Sequence, residues 1–376
     1  MSETFTTMTV PMNDLGLQYR QIQKEVNLAL SEVIGETSFI LGPKVNAFES
    51  SYAHYLGVDH CIGVSNGTDA LKLALRACGV GVGCEVITTP LTFGATVEAI
   101  IEVGATAVFV DVEEDYYTLN VEQLRTSLTG KTRAIIPVHI FGHPADLLPI
   151  MELARERDLL VIEDASQAHG ARYRDQLVGS IGDVGCFSFY PGKNLGAYGD
   201  AGGVVTRSDD LAQEVRLLRN HGQDPNGKFS YLVPGYNHRM DGFQGAVLDV
   251  KLPYLDGWNE KRRQIADRYR RNLSAADGIT TPGEADAAYH VYHLFVVRCE
   301  RRDDLADYLR EWGIHTAVHY PHPLHTTPAF GNLGFSPGDF PVSERCCEEI
   351  LSLPMFPELR DDQVDYVCEK IHQFLG

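Results

Sequence analysis

Apolar positions recur at helical spacing near the start of the chain and change to short continuous runs after residue 85. Residues 12–34 place Ile22, Val26, Leu30 and Val33 on one face, and the stretch opened by Pro43 does the same with Val45, Phe48, Tyr52 and Tyr55. Both are expected to be helices. CIGVSNGTDALKLALRACG (61–79) reads as a short strand, a tight turn at Asn66-Gly67, and a helix starting at Thr68 or Asp69 that carries Leu71, Leu75 and Cys78. From 85 onward, strand-like runs at 85–89, 107–112, 133–138 and 159–164 alternate with helix-like stretches at 93–103, 121–128 and 146–157. That alternation predicts an α/β fold with a mainly parallel sheet covered on both faces.

The pattern breaks in GCFSFYPGKNLGAYGDAGGVVT (185–206). Two apolar strands there flank a glycine-rich turn that holds Lys193. Segment 235–252 starts as a polar loop and becomes a helix with Phe243, Ala246, Val247 and Val250 inward, followed by a charged helix-like segment at 258–273. Beyond about residue 276 the character shifts. A strand at 290–300, an amphipathic helix at 301–313, a strand at 315–320 and a closing helix at 361–375 make a compact α+β unit. The expected division is a large domain, 1–255, and a small C-terminal domain, 256–376, that includes the linking helix.

Composition narrows the chemistry. With 44% hydrophobic and 22% charged residues over 376 positions, the chain is an ordinary globular protein long enough for two domains. A net charge of −19 argues against nucleic-acid binding and requires any anionic ligand to find a local basic site. No apolar run is long enough to cross a bilayer, and the N-terminal residues lack the basic and apolar regions of a secretory signal. The eight cysteines form no CxxC pair. They are expected to be free thiols in a reducing compartment, the cytoplasm.

Several familiar constellations are weak. GVGVG (79–83) precedes a strand, whereas a dinucleotide fingerprint follows one, and there is no P-loop. His290/His293 and His319/His322/His325 invite a metal, yet the prolines in HYPHPLHTTPAF (319–330) forbid helical pairing. No metal is expected.

What remains is an ordered set. A glycine turn at 67–69 can open a helix whose amides seat a phosphate. Phe93 follows, then Asp164 at a strand end, and Ser188 with Lys193 in the glycine-rich stretch. Singly, each has a plain structural reading: a helix cap, a turn-capping carboxylate, a surface lysine on a hairpin. Together they are the inventory for pyridoxal 5'-phosphate, whose phosphate wants amides and a hydroxyl, whose ring nitrogen wants a carboxylate, and whose aldehyde wants a lysine.

At these residues the chain resembles the DegT/DnrJ/EryC1/StrS family of nucleotide-sugar aminotransferases. The supporting stretches are ILGPKVNAFE, SNGTDAL, VITTPLTFGATVEAI, IIPVHIFGHPADL, VIEDASQAHGARY, FSFYPGKNLGAYGDAGGVVT, GYNHRMDGFQGAVL and HYPHPLH. The resemblance implies an aspartate-aminotransferase-like fold (fold type I) in a homodimer with shared active sites. It implies that Lys193 binds the cofactor aldehyde, Asp164 pairs with the ring nitrogen, Gln167 contacts the ring hydroxyl and Phe93 stacks on the ring. Gly67, Thr68 and Ser188 would hold the phosphate, with Asn237 from the neighbouring subunit. Arg239, also across the dimer, and His319 with Tyr320 would bind the sugar. L-Glutamate is the implied donor, pyridoxamine phosphate the intermediate form, and the ketone that of a dTDP- or UDP-linked 3-keto sugar. A 4-keto sugar, a cyclitol of the scyllo-inosose type, or a non-catalytic cofactor-binding regulator are the alternatives. A pyridoxamine-dependent dehydratase would usually replace the lysine.

Overall fold

The computed structural model describes residues 8–227 and 229–376. Helices α1 (Leu15–Glu36) and α2 (Pro43–Leu56) precede β1 (His60–Val64) and α3 (Gly67–Ala77). The alternating stretch forms β2 (Glu85–Thr88), α4 (Ala95–Glu102), β3 (Thr106–Phe109), α5 (Val121–Ser127), β4 (Thr132–Ile135), α6 (Leu147–Arg157) and β5 (Leu160–Asp164). A small hairpin, β6 (Arg172–Tyr173) and β7 (Gln176–Leu177), leads to β8 (Val184–Ser188), β9 (Gly202–Thr206) and α7 (Asp209–Arg219). Next come α8 (Gly242–Lys251), α9 (Leu255–Leu273), β10 (Ala288–Tyr289) and β11 (Phe295–Arg298). The chain closes with α10 (Arg302–Glu311), α11 (Pro341–Glu349), β12 (Ile350–Leu353) and α12 (Asp361–Leu375).

Seven strands form one sheet in the order β1-β9-β8-β5-β4-β2-β3. Only β9 runs against the others, because it follows β8 through a turn and pairs antiparallel with both β8 and β1. The other neighbouring strands are parallel: the crossovers from β1 through to β5 pass through helices, and the one from β5 to β8 through the β6–β7 hairpin. Consequently β1, β2, β4, β5 and β8 all end on the same edge, where ligands gather in such sheets. Both faces are apolar and covered, one by α3 and α4 and the other by α2, α8 and the 168–201 segment.

A second core gathers Tyr269, Phe295, Leu305, Ile314, Leu351, Leu353, Val364 and Ile371 around the antiparallel β11–β12 pair. Val10 joins it from the N-terminal segment, with its amide on Gly313 O at 2.9 Å. Helix α9 spans the two cores: Leu255 packs with the large sheet's neighbours, Tyr269 and Leu273 with the C-terminal strands.

Two local expectations need correcting. The anticipated strand at 315–320 is a single bridge, Ala317 to Ser352, because Pro321 and Pro323 turn the chain away after Tyr320. The partner of β11 is β12, a mostly apolar four-residue run followed by Pro354. The strand expected over 290–300 pairs only at Phe295–Arg298. On α8, Ala246 and Val247 are buried as expected, and Phe243 and Val250, partly exposed, pack against the same clusters. Helix α7 was not anticipated, although its Ser208 cap, accepting from Leu211 N at 3.3 Å, was present in the sequence.

Candidate active site

A cleft of about 620 Å³ opens at the carboxyl edge of the sheet. Gly67 and Thr68 after β1, Thr92 and Phe93 after β2, Asp164 ending β5, Ser188 ending β8 and Lys193 from the loop beyond line it. The opposite wall comes from Met12, His293, Leu294, His319, Tyr320 and Met355, all near the C-terminal core. Of the residues singled out from the sequence, Gly67, Thr68, Phe93, Asp164, Gln167, Ser188, Lys193, His319 and Tyr320 meet here. Asn237 and Arg239 do not line the cleft of their own chain. Asn237 is exposed, and Arg239 donates to Asn220 Oδ1 at 3.2 Å.

The phosphate seat follows from a cap. Asn66 adopts extended geometry and accepts from Asp69 N at 2.8 Å, so α3 starts at Gly67, one residue before the sequence suggested. The first amides of a helix have no partner within it and carry its positive end. Gly67 must lack a side chain, since a Cβ would sit 2.7 Å from Ser188 Cβ. The helix start and the Ser188 hydroxyl therefore share one cradle, in a place an anionic group can fill without a surrounding basic patch.

Asp164 is 5% exposed and lightly held. Thr96 Oγ1 donates to its Oδ2 at 2.8 Å and Ser166 N to its Oδ1 at 3.2 Å. Gln167 is fixed more firmly, accepting from Phe141 N at 2.7 Å while its Nε2 donates to Tyr320 OH at 3.1 Å. Phe93 is 58% exposed, and its ring centroid lies 5.8 Å from that of Tyr320, so an aromatic face is open to the cleft.

Lys193 is presented by a loop that closes on itself. Lys193 N donates to Tyr190 O at 2.8 Å and Ala197 N to Phe189 O at 2.8 Å, with Leu195 and Ala197 buried beneath. Gly196 is obligatory, because a Cβ would lie 2.3 Å from Pro191 O. Among the described residues no hydrogen bond or ion pair engages Lys193 Nζ. Burial pushes its pKa down to about 8, with the Asp164 charge pulling the other way. A lysine so placed has a usable fraction of free amine near neutral pH.

Thr96 escaped the sequence reading, which weighed His293 only as a metal ligand. Thr96 had a signal: it lies four residues after Thr92, and their hydroxyls are 3.0 Å apart. Two of the histidines named in the sequence reading have side-chain partners. His319 Nδ1 meets Ser352 Oγ at 2.8 Å and His325 Nε2 meets Glu344 Oε1 at 2.9 Å.

The residues present fit pyridoxal phosphate: a cradle of helix amides and a hydroxyl, a free aromatic face, a buried carboxylate with spare acceptor capacity, and an uncharged-prone lysine in one cleft. Comparison with known proteins agrees. The chain is 47% identical over 369 residues to the pleiotropic regulatory protein of Geobacillus stearothermophilus, covering 98% of this chain and 99% of that one. It is 42% identical over 374 residues to the dTDP-3-amino-3,4,6-trideoxy-alpha-D-glucose transaminase of Streptomyces venezuelae, covering 100% and 98%. The crystal structure of S. venezuelae DesV in complex with a ketimine intermediate superposes with a TM-score of 0.96 at 42% identity, covering 98% of this chain and 99% of that one. Among the described residues no helix is long and apolar enough to cross a membrane. The family model for DegT/DnrJ/EryC1/StrS aminotransferases matches residues 20–372, so the chain belongs to that family and is a pyridoxal-phosphate-dependent aminotransferase.

Proposed function

We propose that the protein moves the amino group of L-glutamate onto the C3 ketone of a dTDP- or UDP-linked hexose, making an amino sugar for glycan or natural-product biosynthesis. The observation that carries this reading is the meeting of Lys193, Asp164 and the α3 N-terminus in one cleft. The full-length similarity to a dTDP-3-amino-sugar transaminase supports the C3 position.

When bound, pyridoxal phosphate supplies the electron-withdrawing ring that accepts the electron pair left as a proton leaves the substrate carbon. The protein supplies the rest. Asp164, oriented by the Thr96 hydroxyl, would keep a proton on the ring nitrogen and so make the ring a better electron acceptor. Lys193 Nζ would hold the cofactor aldehyde and, as a free amine, would be the base placed to take up and give back the substrate proton. Gln167 would contact the ring hydroxyl and Phe93 would stack on the ring. Gly67, Thr68 and Ser188 would hold the phosphate together with the partner subunit's Asn237. His319, Tyr320 and the partner subunit's Arg239 would bind the sugar.

The homodimer this requires is supported by exposed apolar side chains on and after α1, namely Leu28, Ile34, Phe39 and Ile40. We also divide the chain into domains 1–255 and 256–376, a reading supported by the two cores. Eight free cysteines, six of them buried, favour a cytoplasmic protein.

The test is a visible spectrum of the purified protein before and after glutamate. A yellow band that gives way to near-ultraviolet absorption is expected, after which 3-keto and 4-keto nucleotide sugars and scyllo-inosose identify the acceptor. A protein that stays colourless with added pyridoxal phosphate would sink the reading. A yellow protein that ignores glutamate would favour the regulatory role that the Geobacillus relative's name describes.

A further inference from the structure

Lysine is seldom fully buried without a partner, yet Lys251, the last residue of α8, is 1% exposed. It follows Leu248 by three residues, on the inward stripe of the helix, where an apolar side chain would avoid the cost of drying an amine. Among the described residues no carboxylate pairs with it. Its Nζ instead donates to Gly196 O at 2.7 Å and lies 4.4 Å from the centre of the Tyr198 ring. Burial pushes its pKa down to about 7 against the opposing pull of Glu358, as befits an amine in a dry site.

Gly196 sits at the base of the loop that presents Lys193. The residue is buried, and among the described residues Lys251 is the sole donor to its carbonyl. Without that donor the oxygen would be left unpaired away from water. Gln244, seven residues before Lys251 and so about two turns away on the same face of α8, accepts from Tyr198 N at 3.0 Å. The backbone comes this close because Gly199 lacks a side chain: a Cβ there would lie 2.8 Å from Gln244 Nε2. Beside the lysine, the loop is tied separately, Asn194 Nδ2 donating to Asn259 Oδ1 at 2.8 Å and to Val291 O at 3.0 Å. The returning limb of the loop thus depends on α8, and the lysine's own flank on α9 and residue 291.

We propose that α8 positions Lys193: Lys251 holds the Gly196 carbonyl, Gln244 holds the Tyr198 amide, and these two ties set the base from which the lysine projects into the cleft. Neither residue lines the cleft, so both act through the loop backbone. The inference rests on the reading of Lys193 as the residue that takes the cofactor.

Lys251→Met keeps the length and apolar stem of the side chain and removes the donor. In apoenzyme, deuterium exchange of the peptide covering 190–201 should speed up about tenfold, with exchange in β4 and β5 unchanged. That readout needs neither cofactor nor activity. With pyridoxal phosphate supplied, kcat for glutamate should fall about tenfold while KM stays within about twofold, because the lysine is misplaced and the substrate's binding groups are not. Gln244→Leu removes the second tie and should give the same pattern at about threefold. A folded Lys251→Met with the exchange and kcat of wild type refutes the role of Lys251. Should Lys251→Met not fold, Gln244→Leu decides, and unchanged exchange and kcat there refute the proposal. In wild-type protein, borohydride reduction and peptide mapping should find the cofactor on Lys193; finding it elsewhere removes the underlying reading, and the proposal with it, even where the exchange pattern holds.

Discussion

Glu163 and Asp164 are neighbours at the end of β5, and they serve opposite ends. Glu163 points into the protein, where neither it nor His139 has any exposure. Ala145 N donates to His139 Nδ1 at 3.0 Å, so the ring's proton is on Nε2 and is given to Glu163 Oε2 at 2.9 Å. Gly179 N, Ile181 N and Gly182 N supply three more donors at 2.6, 2.8 and 2.7 Å. Burial alone would raise this carboxyl, yet the His139 bond and the Gly179 and Gly182 amides outweigh it and hold it below the ordinary range. Asp164 points into the cleft with two donors. The difference separates structure from chemistry: a carboxylate whose acceptor sites are filled staples a loop, and one left partly empty awaits a ligand.

Four substitutions sharpen this contrast. The largest effect belongs to the group opposite Asp164. Lys193→Ala should lose at least about 10³-fold in turnover and the yellow lysine-bound band, with Tm little changed. The pH dependence is a companion check: only the unprotonated amine attacks, so capture of pyridoxal phosphate by wild-type apoenzyme should rise through pH about 8. A rise centred near ~10.4, as for an exposed lysine, would show that burial does not act on it. Asp164→Asn should cut kcat roughly 10²- to 10³-fold with far less effect on cofactor affinity, because a neutral amide cannot hold the ring proton.

Glu163→Gln should do the reverse. Whichever way the new amide turns, its nitrogen confronts two donors, His139 with Gly179 or Ile181 with Gly182. A loss of about 3 kcal/mol in stability is expected, seen as a Tm lower by several degrees, with turnover of the folded fraction nearly intact. If Glu163→Gln instead lost kcat and kept its Tm, the division of labour between the two carboxylates would be wrong. The smallest effect is Thr96→Val, which removes one bond to Asp164 and should lower kcat about three- to tenfold without moving Tm appreciably.

Much of this was written in local pattern. Period and alternation located α1 to α6 and the parallel strands, because one-sided burial imposes a repeat that can be counted. Gly67, Asp164, Ser188 and Lys193 of the cleft were legible because glycine turns, strand ends and a lysine between apolar runs each leave a mark in the chain. The strand expected at 315–320 and the unseen β12 show the limit. Both are short apolar segments near prolines, and which of them pairs with β11 depends on a partner about 55 residues away from it, a long-range choice that local propensity does not make.

The sequence by itself determined the fold class, the lysine and the carboxylate of the site, and the family to which they belong. Tertiary structure alone decided which of two adjacent acids is filled and which is open, since that depends on where the 179–182 turn and α4 deliver their donors. It also decided what holds the lysine loop, where Lys251 meets Gly196 across 55 positions of sequence. Such bonds belong to contacts between distant segments, and they exist only once the chain has brought them together.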